Sequence, residues 1–187
     1  MDRSFIVVLS GLATVLWAFW LTVTPITGSD SRWYRLVGTP PPALLDPFQA
    51  MVLPPSAGAF SWRCSVDVPL FHRGFFTPGR ALVAKLEVDL SHFLPFAEAL
   101  GPAPYAAPSR PPLSSYPRQY LGVHFANGDT LVIINAFRSV ELAKFGKPMS
   151  YWRRRFVDVC DGGPGFWHVE YDPVQRRFRR FSFNGAA

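Results

Sequence analysis

Apolar and polar positions along this chain fall into four regimes. Residues 5–23 carry no charge and are apolar almost throughout, long enough to cross a hydrocarbon core as one helix. Residues 60–68 alternate, with Phe60, Trp62, Cys64 and Val66 on one side, which is the period of a half-buried strand ended by Pro69. From 82 to 100 two periods compete. Leu82, Ala84, Leu86, Val88 and Leu90 alternate, while Val83, Leu86, Leu90, Phe93, Ala97 and Leu100 step by three and four. The second pattern runs longer and predicts a helix, with Thr77-Pro78 as its N-cap and first residue and Pro95 bending it or ending it near Leu94.

Strand patterns fill the rest. Residues 120–126 and 130–137 flank Asn127-Gly128-Asp129, a tight-turn signature. Leu131-Val132-Ile133-Ile134 is apolar on both sides, as in a central strand covered on each face. Segments 156–160, 166–171 and 178–183 follow as three more strands, with Trp167, Val169 and Tyr171 turned toward the helix. Residues 138–151 form an excursion broken at Gly146-Lys147-Pro148. The fold class expected is α+β: an N-terminal transmembrane or signal helix, then one helix packed on an antiparallel β-meander.

This divides the chain into a signal anchor or signal peptide over 1–28, a proline-rich linker over 29–55 and a globular domain over 56–187. Span length, with Trp17 and Trp20 near its far end, favours an uncleaved anchor. The alternative is secretion after cleavage near Ile26-Thr27-Gly28. Arg3 on one flank and Arg32 and Arg35 on the other leave the orientation open by charge alone.

Certain residues recur together in a recognisable combination. They are Arg118-Gln119-Tyr120-x-Gly122, Ile134-Asn135-x-Phe137, Val159-x-Asp161-Gly162-Gly163-x-x-Phe166-Trp167, Tyr171-Asp172 and Asn184-Gly185-x-Ala187. The combination resembles a group of uncharacterised bacterial exported proteins with a cystatin-like helix-plus-sheet domain. That resemblance implies the fold and export, hence a single-pass protein of the bacterial inner membrane with its domain on the periplasmic side. It implies no activity. Relatives often carry a cysteine after the Asn-x-Phe segment, where this chain has Arg138, so no cysteine pairing is carried over.

The net charge of +6 adds little by itself, because no zinc-finger spacing, phosphate loop or RNA-recognition motif accompanies it; no nucleic-acid partner is expected. Arg153, Arg154 and Arg155, with Arg176, Arg177, Arg179 and Arg180, flank aromatic strands. They form a candidate basic patch for an anionic surface or an acidic protein, or else solvated edge residues that oppose aggregation. Cys64 and Cys160, the only cysteines, predict one disulfide beyond a membrane, the alternative being two buried thiols.

His168 and Glu170 share a strand face, and with Asp161 beside the glycine loop they are the alternative polar site of a small periplasmic enzyme or metal-binding protein. His124 stands three strands away in the expected order, too far to share a metal. No catalytic set, metal or cofactor is expected. The reading that results is a non-catalytic, membrane-tethered accessory or interaction module with a basic strand edge, held by residues 5–23; a structural subunit of an envelope complex is the third possibility.

Overall fold

The computed structural model describes the backbone of 22–25 and 33–37, and residues 49–60, 72–100, 112–144, 146, 148 and 150–185. The apolar span expected over 5–23 lies outside them except for its last two residues, which begin a strand. So do Cys64 and nearly all of the strand expected over 60–68. Among the described residues no helix is long and apolar enough to cross a membrane.

The fold is α+β, with one main helix on a mixed sheet. The strands are β1 (Thr22–Pro25), β2 (Trp33–Val37), β3 (Ala50–Val52), β4 (His72–Phe76), β5 (Arg118–Phe125), β6 (Thr130–Phe137), β7 (Phe166–Asp172) and β8 (Arg177–Phe183). The long helix is α1 (Arg80–Leu100), and a short helix α2 (Ser139–Lys144) follows β6. Strand order is β1-β2-β8-β7-β6-β5-β3, with β4 also on β5. The run β5-β6-β7-β8 is the antiparallel meander that the sequence predicts. The sheet as a whole is mixed because β3 joins β5 in parallel.

Alternation divides β6 between two cores. Val132, Ile134 and Ala136 meet Leu86, Leu90, Phe93 and Ala97 of α1, together with Trp167, Val169, Tyr171 and Phe178. Leu131 and Ile133 face the other side, against Leu53, Leu121, Val123 and Phe156. Leu86, Leu90 and Phe93 are fully buried, each contributing about 1.5–3 kcal/mol. Both the central position of β6 and the helix-facing set of β7 follow the sequence pattern.

Four expectations need correction. The first concerns the helix start: α1 begins at Arg80, where the Gly79 carbonyl accepts from the Val83 amide at 3.0 Å. Thr77 instead donates its hydroxyl to the Leu53 carbonyl at 3.3 Å, tying β4 to the end of β3. The second concerns Pro95, which neither ends the helix nor lies in its buried face; it is exposed, and the buried Phe93, Leu94 and Ala97 carry the helix past it. Third, the proline-rich linker is not free of regular structure, since 33–37 and 50–52 are strands hydrogen-bonded to β8 and β5. This also means that β8 is flanked on both sides over its first half and is no open edge. Fourth, 156–160 is not a strand, for a reason given by its hydrogen bonds below. His72–Phe76, to which the sequence pattern assigns no element, is a strand with a register shift near Gly74.

The glycine loop before β7 depends on close packing. A Cβ on Gly162 would stand 2.0 Å from the Phe166 ring, and that ring is buried in the core it shares with Phe137, Leu142, Trp152 and Val157. Gly162→Ala is therefore expected to lower stability by about 1–3 kcal/mol. Urea unfolding of the full chain, followed by tryptophan fluorescence, measures this, and an unchanged midpoint would mean the ring is not packed over residue 162.

Candidate functional site

The arginines of the sequence-predicted patch divide into two groups. Arg176 reaches back to Asp89 of α1, Arg177 lies 3.9 Å from Asp172, and Arg179 and Arg180 both meet Glu170. Their charges are matched by carboxylates within the fold. Arg153, Arg154 and Arg155 are exposed on the turn that follows Tyr151, and they make no ion pair among the described residues. The Arg153 guanidinium stands 5.6 Å from the Trp152 ring centroid, a stacking distance for a cation on an aromatic face.

The β8 arginines owe their placement to a bulge. His168 pairs with Ser182 and Glu170 with Arg179, so β8 spends one residue more than β7 over that stretch. Arg180 takes the left-handed conformation, with φ of 53°. Phe178, Phe181 and Phe183 then all join the helix-side core, and two consecutive arginines reach the carboxylate of one buried glutamate on the opposite face.

The alternative polar trio does not converge. His168 faces Ser182, with Nε2 3.0 Å from the hydroxyl. Glu170 is buried and holds Arg179 and Arg180 rather than the histidine. Asp161 is exposed in the loop before β7. His124, on β5, is two strands from β7 and not three, because 156–160 adds no strand. It contacts Thr130 at 3.1 Å. No group of three His, Cys, Asp or Glu side chains lies within reach of one metal ion among the described residues. Cys160 is disulfide-bonded, so its sulfur is not an available nucleophile; Cys64, the chain's other cysteine, is outside the described residues.

Three polar networks were not legible as such. Gln119, Asn135, His168 and Ser182 stand opposite one another across β5, β6, β7 and β8, forming a polar row on the face away from α1. Gln119 and Asn135, both buried, act on the chain that crosses above them. Gln119 donates to the carbonyls of Trp152 and Arg155, Asn135 donates to the Val157 carbonyl at 2.8 Å, and the Val157 amide donates to Gln119 Oε1 at 2.9 Å. Side chains thus satisfy the backbone that a strand partner would otherwise satisfy, and 156–160 runs over the sheet instead of joining it.

The other two networks lie between α1 and the sheet. The Glu87 carboxylate accepts from Arg118 Nε at 3.2 Å and from the Tyr120 hydroxyl, and Arg118 Nη1 donates to the carbonyls of Ser114 and Tyr116. Arg118 is wholly buried. Burial pushes the Glu87 carboxyl above its ordinary range, with the Arg118 guanidinium opposing. Asp89 accepts from the Tyr171 hydroxyl at 2.5 Å and from Arg176. Burial first, and then the bond to Asp89, raise the Tyr171 phenol, which stays a donor; the bond to Asp89 raises Arg176. A signal existed in the sequence, two carboxylates flanking the apolar stripe of a helix.

A cavity of about 340 Å³ opens beside the loop, lined by Leu142, Tyr151, Val157, Asp158, Val159, Cys160 and Asp161. Apart from Leu142 of α2, its lining residues lie outside regular structure, and several are fixed in place. Val157 is held by Gln119 and Asn135, Val159 by a bond from Asn184 Nδ2 to its carbonyl, and Cys160 by its disulfide. No family model, curated protein or solved structure matches this chain.

Two predictions concern the Arg118–Glu87 pair. Arg118→Met leaves a buried carboxylate without its cation and two carbonyls without donors, so stability near neutral pH should fall by about 3–5 kcal/mol. The pH dependence has a definite sign. A carboxyl whose folded pKa is raised above 4.5 favours folding on the acid side, and that contribution is lost as pH rises through the folded value. Urea midpoints compared at about pH 5 and about pH 7.5 should therefore show a component that vanishes in Glu87→Gln and grows in Arg118→Met. Identical slopes in all three proteins would refute the assignment.

Proposed function

We propose that this chain is a membrane-tethered, extracytoplasmic interaction module that meets an anionic surface through Arg153, Arg154 and Arg155. The observation that carries this reading is the state of those three side chains. They are exposed and make no ion pair among the described residues, on a turn whose backbone is fixed by the buried Gln119. Guanidinium groups bind phosphate and carboxylate in fork geometry, and a rigid backbone lowers the entropy lost on contact. The β8 arginines belong to the folding of the domain in this reading, because each already faces a carboxylate.

Placement outside the cytoplasm is supported by the Cys160 disulfide, a bond that persists in oxidising compartments. Cys64 is its partner in this proposal, as the only other cysteine in the chain. The apolar segment that leads into β1 supplies the tether in this proposal.

The test uses the full chain in uncharged micelles, titrated with vesicles containing phosphatidylglycerol. Binding should weaken steeply with added salt. At about 1 kcal/mol for each arginine near an anionic surface, replacing 153, 154 and 155 together by Ser should weaken it roughly 100-fold with the fold intact. Replacing Arg176, Arg177, Arg179 and Arg180 should instead lower stability. Binding indifferent to salt and to loss of the three turn arginines would overturn the proposal.

A further inference from the structure

We propose that the surface met by Arg153, Arg154 and Arg155 is not the bilayer that holds the chain but a second, phosphate-bearing lipid surface facing it, so that the domain bridges two membranes. This deepens the reading of the arginine turn and rests on it. Strand direction carries the inference, because it sets the tether and the arginines at opposite ends of the sheet.

The tether's end follows from pairing alone. The apolar segment runs straight into Thr22, the first residue of β1. Thr22 stands opposite Val37, Arg35 of β2 opposite Arg177, and Arg177 opposite Asp172 of β7. Thr22 is therefore level with the turn between β7 and β8. The turn between β5 and β6, at 126–129, lies at the same end. Val174, 85% exposed in the first of these turns, is an apolar residue placed where a bilayer surface would cover it.

The arginines belong to the other end. Their turn is fastened by Gln119, the second residue of β5. Gln119 pairs with Asn135, Asn135 with His168, and His168 with Ser182, all near the end remote from Thr22. From that row to the level of Thr22 is about six residues, or roughly 20 Å at about 3.3 Å each. The field of a charged bilayer falls off within a Debye length, about 8 Å at physiological ionic strength. The arginines thus stand beyond the reach of the bilayer at the tether. Because β1 follows the apolar segment without a spacer, the chain has little slack with which to lay its far end down.

The same far end suits lipid better than a protein partner. Leu142 of α2 and Trp152 of the arginine turn pack in one core cluster, and Val140 of that helix is exposed. An apolar side chain and three guanidinium groups therefore border the same cluster. Among the described residues no Phe, Tyr or Trp is exposed, whereas protein interfaces commonly rely on an aromatic anchor. A phosphate-bearing lipid surface needs only charge and a shallow apolar contact.

The test places the full chain in phosphatidylcholine vesicles and mixes them with protein-free vesicles containing phosphatidylglycerol. Energy transfer between dyes in the two populations reports clustering. Clusters should form, disperse with added salt, and fall at least about tenfold when 153, 154 and 155 are all Ser. Sodium phosphate should disperse them no better than sodium chloride of equal ionic strength; selective dispersal by phosphate would mark a site for the free ion and overturn the membrane assignment. A second measurement reads the geometry without any anionic lipid. In a phosphatidylcholine nanodisc with a gadolinium-chelating headgroup, the amides of 127–129 and 174–176 should broaden and those of 152–156 should not. Broadening at 152–156, or absence of clusters from a chain that still binds phosphatidylglycerol vesicles from micelles, would overturn the bridging geometry and leave the arginine surface standing. Loss of both kinds of binding would overturn the arginine reading together with this one.

Discussion

The attachment of α1 to the sheet depends on two carboxylates at opposite margins of one apolar stripe. At roughly 100° per residue, Leu86, Leu90, Phe93, Leu94 and Ala97 span one face of the helix, Glu87 falls beyond one border and Asp89 beyond the other. Glu87 reaches Arg118 and Tyr120 on β5, while Asp89 reaches Tyr171 on β7 and Arg176 in the turn just before β8. Strand β6 runs between, with only apolar residues directed at the helix. Burial alone would hold the helix on the sheet but would leave its rotation weakly specified. The ion pairs cost desolvation, and their worth lies in direction: turning the helix about its axis would bury one charge and strand the other.

The second sheet face is covered by a different device. Here no long helix is present among the described residues, and the crossing chain of 151–161 forms no strand. The buried amides of Gln119 and Asn135 provide its hydrogen bonds. This lets Trp152, Phe156 and Val157 deliver apolar surface to the sheet from an irregular backbone. It also accounts for residues that look like a functional motif. Arg118, Gln119, Tyr120, Asn135, Tyr171 and Asn184 all make specific bonds, and all of them fix the path of the chain. Asp172 accepts from the amides of Val174 and Gln175 and so shapes the turn into β8. The pattern describes a fold more than a reaction centre.

What the sequence made legible follows from this. The helix, β5, β6, β7 and β8 have side-chain periods set by burial against a neighbour, and period can be read. The bulge was written there too, since Phe178-Arg179-Arg180-Phe181-Ser182-Phe183 inserts one polar residue too many for strict alternation. Residues 156–160 look like a strand in sequence because Phe156 and Val157 are buried as strand residues would be, while the groups that replace a strand partner, Gln119 and Asn135, lie 38 and 22 residues before Val157. Nor could the sequence sort the arginines. Arg153 to Arg155 and Arg176 to Arg180 look equivalent in one dimension, and the difference comes from which of them Asp89, Asp172 and Glu170 can reach.

That sorting separates charge along a single loop. One end of 151–161 carries exposed arginines, and the other carries Asp158 and Asp161, which line a cavity. Loops usually bear function because a rigid scaffold leaves them free to vary, and the difficulty is to hold them still enough to recognise anything. This loop is held by side chains projecting from the sheet beneath and by a disulfide, with Arg153, Arg154, Arg155 and Asp161 exposed. A strand in the same place would have used alternate residues for packing and would have set its arginines and carboxylates on a fixed repeat. Fastening the backbone from below removes that constraint, and opposite charges can be grouped at opposite ends. Two surfaces of opposite electrostatic character on one fixed segment are what the buried row of Gln119 and Asn135 makes possible.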